Sequence, residues 1–84
     1  MDDYILRLRA ELAKSERAYT ESKIRTARLF HELQTTANPY FADDLDEIKA
    51  DELLQISNDI AGEKSKMIEA KAKIKELKKR LGEV

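Results

Sequence analysis

The stretch Leu53-Leu54-Gln55-Ile56-Ser57-Asn58-Asp59-Ile60-Ala61-Gly62-Glu63-Lys64-Ser65-Lys66-Met67-Ile68 sets the reading of the whole chain. Leu53, Ile56 and Ile60 recur in steps of three and four and Met67 follows one full heptad on, the period of one face of an α-helix in a coiled coil; a strand would alternate every second residue. Continued to the C-terminus, the same seam takes in Glu63, Ala70, Ile74, Leu77 and Leu81. A second row accompanies it, because Leu53, Ile60 and Met67 are each followed by another apolar residue, Leu54, Ala61 and Ile68, themselves seven apart.

The first part of the chain carries the same signature. Ile5, Leu8, Leu12, Ser15, Tyr19, Ser22, Thr26, Leu29 and Leu33 form a seam whose middle is weak, since Ser15, Ser22 and Thr26 bury little apolar surface. This seam too is doubled, at Ile5-Leu6, Leu12-Ala13, Tyr19-Thr20 and Thr26-Ala27. One helix is therefore expected over residues 3–36, with Asp2 and Asp3 suited to the positive end of its dipole.

Between the two seams stands Thr35-Thr36-Ala37-Asn38-Pro39-Tyr40, which holds the one proline. Proline cannot continue an upstream helix, yet it is favoured at a first helical position, with Asn before it as a cap. A turn over 37–40 and a second helix over 41–81 follow, with Gly82 as its stop. Phe41, Leu45 and Ile48 run in a different phase, and the step from Ile48 to Leu53 is five residues, so a break near Ala50-Asp51 is the main variant; a break at Gly62 is the other.

Two long helices joined by a short turn fold back as an antiparallel helical hairpin, an all-α, coiled-coil-like architecture forming one domain over 1–84. A turn at Ala37-Asn38 sets Leu8 near Met67 and Tyr19 near Ile56, leaves the chain from Ile74 onward overhanging, and puts the acidic start of the second helix beside Arg25 and Arg28. A lone hairpin also leaves Leu6, Leu54 and Ile68 in water, whereas helices with a second apolar row belong to bundles. A homodimer forming a four-helix bundle is the expectation.

Composition narrows the function. Net charge is −1 from 16 bases and 17 acids, and there is no cysteine, so disulfides and thiolate metal sites are excluded. Residues 38–59 hold seven acids and one lysine, whereas residues 60–84 hold eight bases and four acids. His31, the single histidine, has Ala27, Arg28, Gln34 and Thr35 as helical neighbours and hence no second ligand on its face. No serine or threonine has a base placed to activate it, and no glycine loop cradles phosphate. No enzymatic activity, cofactor or metal is expected. With no apolar run near the roughly 20 residues a bilayer needs, and acids and arginines where a signal peptide needs an unbroken apolar run, a cytoplasmic location without membrane attachment is expected.

The function implied is that of a non-enzymatic interaction or assembly protein, a scaffold or adaptor acting through coiled-coil packing with itself or a protein partner. Its candidate partner-binding residues are Leu6, Leu54 and Ile68 of the second row, the aromatics Tyr40 and Phe41, and the acidic group Asp43, Asp44, Asp46 and Glu47. The aromatics could staple the turn onto Leu33 and Phe30 or anchor a partner. The alternative reading is a small regulator of transcription or nucleic-acid machinery, acting through the acidic hairpin tip or the basic C-terminal helix. Nucleic acid is disfavoured because the lysines alternate with Glu69, Glu76 and Glu83 and no aromatic lies nearby to stack on bases.

Overall fold

A computed structural model describes residues 3–38 and 49–82. Helix α1 spans Asp3–Ala37 and helix α2 spans Ala50–Arg80, and the two pack against each other as an antiparallel hairpin. α1 stops one residue before Asn38-Pro39, as the proline requires. α2 stops at Gly82, which adopts φ +74°; the Leu81 N–H donates to the Leu77 carbonyl at 3.0 Å and the Gly82 N–H to Lys79 at 3.2 Å, closing the last turn. Lys78, Lys79 and Arg80 sit at the negative end of the α2 dipole, and Asp51 and Glu52 at its positive end.

Every seam position read from the sequence is turned inward. Leu8, Leu12, Ser15, Ser22, Ile56, Glu63 and Leu77 are buried, and the remaining seam residues are half-buried. Leu8, Leu12 and Leu77 form the apolar core near the chain ends, with Ile74 and Leu81 packed against it.

Two expectations need correction, and they are linked. α2 does not run from 41. Lys49, at φ −82° and ψ 75°, lies outside the helical region, so the helix starts at Ala50; residues 41–48 fall outside the described residues. The start falls within the five-residue step from Ile48 to Leu53, where the heptad phase of the sequence slips. The register moves accordingly. Leu8 packs on Leu77 rather than Met67, and Ser22 meets Glu63, a displacement of ten residues along α2. The segment from Ile74 onward therefore does not overhang, and Leu77, at 3% exposure, is the most buried apolar residue among the described residues. Nor do Arg25 and Arg28 flank the start of α2; Arg25 pairs with Glu63 in its middle. The displaced register is the one that gives Glu63 polar partners, whereas the expected one would have set its carboxylate against Leu12. An unpartnered buried charge is far costlier than a shifted loop.

Gly62 lies inside α2 without breaking it, and a Cβ built there meets nothing within 4 Å. Gly62→Ala removes the entropic penalty of glycine in a helix at no steric cost, a gain of about 0.5–1 kcal/mol. Thermal unfolding followed by circular dichroism is expected to rise by about 2–8 °C; a lower midpoint would show that α2 is not helical through residue 62.

Candidate functional site

The seam is apolar at the end near the chain termini and polar at its centre. Ser22, 1% exposed, donates its hydroxyl to the Glu63 carboxylate at Oε2 and lies 3.2 Å from the Glu63 backbone carbonyl. Arg25 Nε donates to Glu63 Oε1 at 3.0 Å, and Lys66 Nζ reaches the same oxygen at 3.4 Å. The Ser22 hydroxyl first, and the Arg25 guanidinium after it, hold the Glu63 carboxyl down at about 2, against the opposing effect of burial; the charges of Arg25 and Lys66 add to this. Among the described residues no buried side-chain polar atom lacks a partner. The short Ser15 and Ser22 side chains, weak as core residues, make room for this layer.

Around the seam the hairpin has two broad faces. Each residue turns a helix by about 100°, and in an antiparallel pair the positions just before the seam on both helices lie on one side. Arg25, Glu32, Asp59 and Lys66 show this directly, since they line one open hollow together with Arg28 and Gly62. Lys14, Ala18, Lys66, Glu69 and Lys73 line a second hollow on the same side. Charges of both signs cover this face.

The opposite broad face carries the second row. Leu6, Leu54 and Ile68 are 45%, 62% and 60% exposed, and Phe30 is 49% exposed. The row does not sit beside the seam; it lies about 100° round each helix from its seam neighbour. Because the helices are antiparallel, the rows of α1 (Leu6, Ala13, Thr20, Ala27, Gln34) and α2 (Leu54, Ala61, Ile68, Lys75) emerge on the same side. The charges there are one-sided: Arg9, Lys23, Lys64, Lys71, Lys75 and Lys78 against the single acid Glu16. Lys71, Lys75, Lys78 and Arg9 lie toward the chain ends, and Phe30, Leu54, Ala27 and Ala61 toward the connection.

Of the candidate residues, Leu6, Leu54 and Ile68 thus come onto one surface. Tyr40, Phe41, Asp43, Asp44, Asp46 and Glu47 lie outside the described residues. Phe30 joins the surface although sequence reading assigned it to the turn; its place four residues after the seam position Thr26 was the available signal. Tyr4 and Ile24 are also exposed apolar residues, at 53% and 50%, but helical spacing puts them off this surface. Among the described residues no group of three His, Asp or Glu side chains could hold a metal ion, and no helix is long and apolar enough to cross a membrane. No family model, curated protein or solved structure matches the chain.

The polar layer yields a pH dependence with a definite sign. The folded-state pKa of Glu63 is depressed from 4.5 to about 2, so its stabilising effect is complete above the unfolded-state value and is lost as pH falls from about 4.5 toward 2. The urea midpoint of the native chain is expected to drop across that interval. In Glu63→Gln the midpoint is lower at pH 7 and its acid limb is flatter. An unchanged acid limb in the variant would contradict the assignment.

Proposed function

We propose that this chain is an assembly module without chemistry of its own: a helical hairpin that packs its second apolar row against helices of another molecule, foremost a second copy, to give a four-helix bundle. As such it serves as a scaffold or adaptor. The main support is the exposure of Leu6, Leu54 and Ile68 on a single broad face of a hairpin whose seam is already filled. Isolated exposed apolar residues are ordinary on any surface; a seven-residue recurrence on both helices, brought to one side by the fold, is not. The face runs about 46 Å along a 31-residue helix, long enough for helix-on-helix packing over its whole length. Leu6, Leu54 and Ile68 are already about half covered, so completing the burial of each contributes about 0.7–1.5 kcal/mol, half of the value for a fully exposed side chain.

Light scattering is expected to give about twice the 9.7 kDa chain mass. Leu54→Ser combined with Ile68→Ser is expected to weaken association by at least about 100-fold and to leave helicity intact, because neither side chain contributes to the seam. A native chain that stays monomeric at high concentration would overturn the proposal.

A further inference from the structure

We infer that the second copy docks antiparallel on the apolar face, with the two connections at opposite ends of the bundle and each helix lying along its own counterpart. This rests on the assembly reading above and adds the surface, the orientation and the register.

Two independent features point to it. The first is the symmetry of the rows. On α1 the row Leu6, Ala13, Thr20, Ala27, Gln34 is centred on Thr20; on α2 the row Leu54, Ala61, Ile68, Lys75 is centred between Lys64 and Ser65. The pairing of Ser22 with Glu63 and of Leu8 with Leu77 sets Thr20 level with Ser65. The two centres therefore coincide to within about one residue, or ~1.5 Å of rise. A two-fold axis crossing the face at that level brings both rows into register at once. It sets Ile68 against the small Ala61 of the second copy, Ala13 against Ala27, Thr20 against Thr20, and Leu54 against the aliphatic stem of Lys75. Ile68 meets a small side chain, and the small residues at the middle of α1 let the two α1 backbones approach closely.

The second feature is charge. On the apolar face of α2, Lys71, Lys75 and Lys78 gather toward the chain ends, and no acid accompanies them. With both connections at one end, the lysine-rich halves Lys71, Lys75 and Lys78 of the two copies would crowd the same end of the bundle, beside Arg9. The antiparallel arrangement carries the two lysine-rich halves to opposite ends of the bundle. Like charges brought together disfavour the first arrangement, and the second separates them.

The chain lacks cysteine, so single cysteines report proximity without background. Thr20→Cys sits on the inferred axis and is expected to convert most of the protein to a disulfide-linked dimer under mild oxidation. Ala13→Cys is expected to cross-link with Ala27→Cys in mixed samples, and Thr20→Cys not with Ile68→Cys. A disulfide needs Cα atoms within about 7 Å, a limit the Thr20 pair would exceed if the connections lay at one end. The mass of each oxidised and reduced sample separates orientation from assembly. A dimer in which Thr20→Cys fails to link to itself, or links to Ile68→Cys instead, overturns the antiparallel orientation and leaves the assembly reading standing. A monomer in the reduced state overturns both.

Discussion

A carboxylate in the middle of an otherwise apolar seam governs this hairpin. Glu63 occupies a position that heptad packing reserves for a hydrophobic side chain, and it is buried there because Ser22 and Arg25 on the facing helix, with Lys66 on its own, meet its oxygens. Slide α2 by one turn in either direction and Ser22 and Arg25 are lost to it, while the charge stays inside. Leucines facing leucines tolerate several registers at similar free energy; a buried ion with a fixed set of donors does not, which is how single polar residues specify register in coiled coils. The Leu8, Leu12 and Leu77 cluster supplies much of the apolar burial. The Glu63 layer decides where along the rods that burial takes place.

From the register follow the faces. Because Ser22 is level with Glu63, the second apolar rows of the two helices lie side by side and share a midpoint, and the mixed-charge residues that line the two hollows fall on the other side. The hairpin is thus a two-sided ribbon, one face lined by charges of both signs, the other carrying the exposed apolar side chains among bases that are densest toward the chain ends. A shift of ten residues would have kept both rows and destroyed their alignment, so the shared apolar face depends on a hydrogen-bonded layer that it does not itself contain.

Much of this was legible in the residues. Steps of three and four located both helices and every seam position, Asn38-Pro39 located the end of α1, and Gly82 the end of α2, because those signals are local. Register was not legible in the same way. It depends on where α2 begins, and the acidic cap after Pro39 suggested a start that the phase slip between Ile48 and Leu53 argued against. The partner of Glu63 could have been sought among the small polar residues of the α1 seam, since a charge at a buried position implies a donor opposite. Leu6, Leu54 and Ile68 were identifiable from their seven-residue spacing, but that they share a face, and that Phe30 joins them, emerges from the antiparallel geometry.

If the Glu63 layer fixes the register, Ser22 must lie opposite Glu63 in solution. Pulsed electron resonance between spin labels at the exposed positions Arg17 and Ser65, compared with Arg17 and Asn58, in samples diluted with unlabelled chain, reads that alignment. In the register described, Arg17 is offset along the axis by about three residues (~4–5 Å) from Ser65 and by about ten (~15 Å) from Asn58, so the Ser65 distance is the shorter. A shorter distance to Asn58 would mean that the turn is tight, that Glu63 faces Leu12, and that the buried carboxylate does not set the register.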